Sequence, residues 1–99
     1  MKSKKEKLAS AVGLLKQLSH PVRLSLLCNL LHSGEMSVSA LVEAEGGAAS
    51  QSHISQFLAK MRDDDMVKCR KEGQTVYYQI KSPQVKKMIQ ALTDIYCKK

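Results

Sequence analysis

Three cysteines, three histidines and one run of short polar side chains are the residues whose types and spacing could do chemistry. Cys28, Cys69 and Cys97 are odd in number and widely separated, so they do not form a secreted disulfide framework. In a reducing compartment such thiols serve as buried filler, metal ligands or sensors. No Cys-x-x-Cys pair, glycine-rich cofactor loop or acid–base constellation accompanies them, which argues against an enzyme. His20, His32 and His53 have no ligand spacing among themselves, and no metal or other cofactor is expected. The polar run is more informative. Within SQSHISQFLAK at 50–60, Ser52, Ser55 and Gln56 share one helical face, flanked by Gln51, His53 and Lys60. Hydroxyl and amide groups displayed in this way suit the base edges of a DNA major groove.

Ile54, Phe57, Leu58 and Met61 recur at i, i+3, i+4 and i+7, the buried stripe of an amphipathic helix, and Ser50 can cap its start. Two strand-like runs follow at 66–71 and 75–80, joined by Glu72, Gly73 and Gln74. Val76, Tyr78 and Ile80 alternate with Thr75, Tyr77 and Gln79, as a half-buried strand requires. Cys69 alternates with Val67 and is expected in the core. Lys68, Arg70 and Lys71 bring positive charge to the hairpin, where phosphates could be met. A polar helix followed by a basic hairpin reads as a recognition helix and a wing. Ser50, Gln51, Ser52, His53, Ser55 and Gln56 are the candidates for bases or nearby phosphates. Lys60, Arg70, Lys71 and Gln74 are candidates for holding the backbone.

The remaining elements frame this pair. Residues 1–7 read as a charged arm, followed by a helix carrying Leu8, Val12, Leu15 and Leu18. Ser19 is the expected cap of a second helix with Pro21 in its first turn and Gly34 at its end. Leu24, Leu27, Cys28 and Leu31 are its expected core face, widened by Leu26 and Leu30, so it needs cover on more than one side. On packing grounds alone, Cys28 is a small buried hydrophobe. Ser37 caps a short third helix with Val38, Leu41 and Val42, and the glycines at 46 and 47 turn the chain into the polar helix. Asp63, Asp64 and Asp65 end that helix as solvated residues, with Asp65 in a left-handed cap. Ser82 and Pro83 open a last helix striped by Val85, Met88, Ile89, Leu92, Ile95 and Tyr96.

The 99 residues thus make a single domain, 1–99, mainly α with a small β-hairpin wing: four helices, the hairpin, and a fifth helix. The helix-turn-helix occupies 37–62, the wing 66–80 and the last helix 82–97. The first and last helices lie outside the helix-turn-helix and are candidates for a homodimer interface. The net charge of +7 points to a polyanionic partner. No run of about 18 apolar residues exists, so no membrane span is expected. The apolar segment behind MKSKKEK is broken by Ser10, Gly13, Lys16 and Gln17, unlike a signal peptide, and a cytoplasmic location is expected.

With LSHPVRLSLLCNLL at 18–31, SVSALVE at 37–43, SQSHISQFLAKMRDDDMV at 50–67 and EGQTVYYQI at 72–80, the chain resembles the ArsR/SmtB family of winged helix-turn-helix repressors over essentially its whole length. The resemblance implies a homodimer that binds double-stranded operator DNA and releases it when an inducer acts. Phe57 stands where many members have His, Asp65 replaces the usual Gly, and the turn before Ser50 is longer and Gly/Ala-rich. Members that sense arsenic, cadmium or lead carry Cys-x-Cys where this chain has Ser37, Val38 and Ser39. Zinc sensors place Asp and His pairs on the last helix, which here has Asp94 and no histidine. A metal-responsive repressor with a non-standard site is the alternative reading. The resemblance instead points to the persulfide- and redox-responsive branch, which has one cysteine in the second helix and one at the end of the last. It thereby casts Cys28 and Cys97 as redox-sensing residues, with a reactive sulfur species or an oxidant as inducer. Lys98 and Lys99 would favour a Cys97 thiolate, and a protonated His32 would assist Cys28.

Overall fold

A computed structural model describes residues 3–97. Their order is α1 (Lys4–Leu18), α2 (Pro21–Ser33), β1 (Met36–Ser37), α3 (Val38–Glu45), α4 (Gln51–Asp63), β2 (Val67–Glu72), β3 (Thr75–Ile80) and α5 (Pro83–Tyr96). Helix starts follow the sequence closely, because a capping side chain acts within one turn. Ser37 accepts from the Ala40 N–H at 3.0 Å, Ser50 from His53 at 3.1 Å and Ser82 from Val85 at 3.2 Å.

Two helix ends differ from expectation. Residues 4–7 are the first turn of α1, not an arm: Ser3 accepts from the Glu6 N–H at 3.2 Å and starts the helix there. Met1 and Lys2 lie outside the described residues. The N-cap of α2 is His20, whose Nδ1 accepts from Val22 N–H at 3.1 Å; Ser19 instead closes α1, donating to the Lys16 carbonyl at 2.8 Å. Asp65 does take the left-handed conformation, at φ 59°, as expected.

The sheet is antiparallel in the order β1-β3-β2, with Met36 opposite Tyr78 and Cys69 also opposite Tyr78. β1 was not legible in the sequence, since two residues are too few to show alternation. The β2–β3 loop holds two residues, with Gly73 at φ 60° supplying the positive angle a tight hairpin needs.

The core lies where α2, α3, α4 and α5 meet the sheet. Leu26, Leu27 and Leu30 of α2 are buried with Leu41, Ile54, Leu58, Met61 and Ile89. Each such side chain contributes about 1.5–3 kcal/mol by leaving water. The inner face of α2 is therefore turned from the one expected: Leu24, Cys28 and Leu31 are only half-buried, at its edge. Cys69 is a further correction, being exposed. It shares a strand face with buried Val67, but the hairpin runs past the core there, and the Cys69 sulfur meets Arg62 Nη1 at 3.8 Å.

Candidate nucleic-acid interface and thiol cleft

The stripe of Ile54, Leu58 and Met61 seats α4 on the core, which leaves Gln51, Ser52, His53, Ser55, Gln56 and Lys60 exposed on its outer side. Ser50 is also exposed, with its oxygen engaged as the cap. Between α4 and the wing lies a shallow groove of about 300 Å³. Gln51 and Ser55 form one wall with Val38 and Ser39 of α3; Gln74, Thr75 and Val76 form the other. Ser39 and Thr75 are groove residues that sequence reasoning missed. Their signal was present but weak: each is a short hydroxyl side chain at the start of an element adjoining the polar helix.

Phe57, half-buried on α4, is packed by the His20 ring at 4.7 Å and covered by the Arg23 guanidinium at 5.8 Å. Lys60 lies 3.5 Å from Asp64, with both side chains partly open to water. The aspartates ending α4 are not merely solvated: Asp63 meets Arg62 at 3.7 Å, Asp64 accepts from the Gln17 amide at 2.6 Å, and Asp65 meets Lys81 at 3.0 Å.

The wing cations divide. Lys68 and Lys71 are exposed and form no ion pair among the described residues. Arg70, expected on the DNA backbone, is engaged within the protein. It donates to both oxygens of Glu35 at 2.9 Å and to Glu72 at 2.6 Å, and it lies 4.3 Å over the Tyr77 ring. This contact holds the Glu35 carboxyl below its ordinary range and keeps the guanidinium firmly protonated. Among the described residues, Arg70 is thus the ion-paired cation of the wing.

Cys28 and Cys97 line one cleft of about 200 Å³ with Leu24, Leu92, Thr93 and Tyr96. Cys28 is half-buried on α2; Cys97 is exposed and caps α5, its N–H donating to the Thr93 carbonyl at 2.8 Å. Burial pushes the Cys28 thiol up from its ordinary value; the Thr93 hydroxyl opposes this, while Cys97 and Glu45 add to the rise. Thr93 Oγ1 is buried in the cleft with no hydrogen-bond partner among the described residues. His32, expected to assist, is exposed, and the polar groups acting on Cys28 are Thr93, Cys97 and Glu45. Lys98 and Lys99 lie outside the described residues. Among the described residues, no three His, Cys, Asp or Glu side chains gather as a metal-binding group.

Apolar residues remain uncovered on the two outer helices. Leu8, Val12 and Leu15 share one face of α1, and Ile95 and Tyr96 end α5; all are at least half exposed. No helix among the described residues is long and apolar enough to cross a membrane.

No family model matches the chain. It is 46% identical over 89 residues to the transcriptional activator HlyU of Vibrio cholerae, covering 90% of this chain and 80% of that one. It is 38% identical over 93 residues to the biofilm growth-associated repressor of Xylella fastidiosa, covering 93% and 79%. The solved structure of reduced HlyU from Vibrio cholerae superposes with a TM-score of 0.84 at 44% identity, over 94% of this chain and 95% of the other. These similar proteins are transcriptional regulators and not enzymes.

Proposed function

The chain belongs to the ArsR/SmtB family of winged-helix transcriptional regulators, and we propose that it is a homodimeric repressor that releases operator DNA when Cys28 and Cys97 are oxidised or bridged by reactive sulfur. DNA-binding regulation is the activity of the family. The thiol switch is carried by one observation: two cysteines far apart in sequence line the same cleft.

The chemistry begins with the thiolate, since only the deprotonated sulfur attacks. Joining the two thiols directly releases two protons and passes two electrons to the oxidant. A direct bond needs Cα atoms within about 7 Å, and a bridge of further sulfur atoms spans more. Either product ties the end of α5 to α2. The neighbouring Ile95 and Tyr96 are exposed apolar residues suited to a partner helix, so drawing this end inward alters how two subunits meet. Two recognition helices serve one operator when their spacing matches the DNA repeat, one turn of about 34 Å or a multiple of it. A bridge therefore lowers affinity without touching the recognition face.

Within the dimer, Gln51, Ser52, His53, Ser55 and Gln56 read bases or adjacent phosphates, with Ser50 at the helix start and Lys60, Lys71 and Gln74 on the backbone. Binding to a labelled operator duplex at fixed salt tests the switch. Reduced protein, polysulfide-treated protein and treated Cys28→Ser are compared. Loss of affinity only in treated wild type is expected; equal binding by all three removes the sensor while leaving the regulator.

A further inference from the structure

The outer half of the wing has little apolar to hold it. In β2 only Val67 is buried, and 68–72 are all exposed. A lone two-stranded ribbon is marginal in water. Yet the wing is one wall of the groove whose other wall is α3 and α4, so its angle sets the width of the surface offered to DNA.

Polar contacts stand where apolar ones are missing. Arg70 Nε and Nη2 each donate to a carboxylate oxygen of Glu35 at 2.9 Å, and Nη1 donates to Glu72 at 2.6 Å. The guanidinium lies 4.3 Å over Tyr77, the cross-strand partner of Arg70. Glu35 immediately precedes β1, whose Ser37 also pairs with Tyr77. One fork therefore joins all three strands. Exposed ion pairs as a class contribute little, but the bidentate planar form is the exception, because it fixes both partners in one orientation. We infer that Glu35 is a positioning residue for DNA recognition: through Arg70 and Tyr77 it clamps the wing at the angle that brings Lys71 and Gln74 to the duplex beside α4.

The clamp rests on the wing meeting DNA, and it differs in sign from simple electrostatics. A carboxylate near a polyanion repels it, so on charge alone removing Glu35 tightens binding. On the clamp, removal loosens the wing and weakens specific binding.

The test uses the full chain, a duplex selected by wild type from a randomised pool, and a scrambled duplex of equal length. Glu35→Ala is expected to weaken the selected duplex about tenfold, the order expected for a charge-assisted hydrogen bond, and to leave the scrambled one unchanged or slightly tighter. Hydrogen exchange at amides 70–77 should quicken while the helical melting curve barely moves; this arm requires no DNA. The reciprocal swap, Glu35→Arg with Arg70→Glu, rebuilds the fork in reverse and should recover most of the lost preference. Equal or tighter binding of the selected duplex by Glu35→Ala overturns the clamp. Unchanged wing exchange also overturns it, as does a swap no better than Arg70→Glu alone.

Discussion

Gln17 Nε2 donates to Asp64 Oδ2 across 2.6 Å, tying the last turn of α1 to the C-cap of α4. The link is extended on both sides. Arg23 donates to Gln17 Oε1 at 3.3 Å while covering Phe57, and Lys60 reaches Asp64 at 3.5 Å. The helix that bears the uncovered apolar face is thereby bonded to the helix that bears the polar one.

The energy of this link is measurable. In a double-mutant cycle with Gln17→Ala and Asp64→Ala, urea unfolding should give a coupling of about 0.5–1.5 kcal/mol, the usual range for a hydrogen bond. Strict additivity would mean that the two helices are not joined through this pair.

Cys28 should react late as pH rises. Burial, aided by Cys97 and Glu45, raises its pKa, so the thiolate fraction at neutral pH is smaller than for a free thiol. Iodoacetamide labelling of the Cys28 peptide in a Cys69→Ser background should keep accelerating above the ordinary thiol value of 9.0. Thr93→Val removes the neighbouring hydroxyl, whose influence favours the thiolate, so the midpoint should move further up and the neutral-pH rate should fall. A midpoint at or below that of a free thiol would exclude burial as the dominant influence.

Lys71 and Gln56 should fail in different ways. Lys71→Ala should weaken selected and scrambled duplexes alike and flatten the salt slope by about 0.9 per lost phosphate contact. Gln56→Ala should mainly relax preference at one base pair, by about 1–3 kcal/mol. An unchanged slope for Lys71→Ala would move the wing away from the backbone.

Leu15 is 51% exposed in the single chain, so Leu15→Glu should leave the fold intact. Sedimentation should nonetheless shift toward monomer, and affinity for the selected duplex should fall with it. A variant that sediments like wild type would take α1 out of the interface.

Much of the local structure was legible because its causes are local. Ser37, Ser50, Ser82, Pro21 and Asp65 act on backbone groups within a turn, and the stripe of Ile54, Leu58 and Met61 fixes which side of α4 is polar. Cys28 and Cys97 were singled out by family resemblance, because residues so far apart in sequence carry no mutual signal until α2 and α5 pack.

Only the tertiary structure decided the rest. It paired β1 with β3 and turned Leu26, Leu27 and Leu30 inward while leaving Cys28 at the edge. It carried Cys69 past the core, gave Arg70 to Glu35 and bonded Gln17 to Asp64. Periodicity specifies one face of one element. Which partner meets that face, and where the core stops, depends on how all the elements pack together.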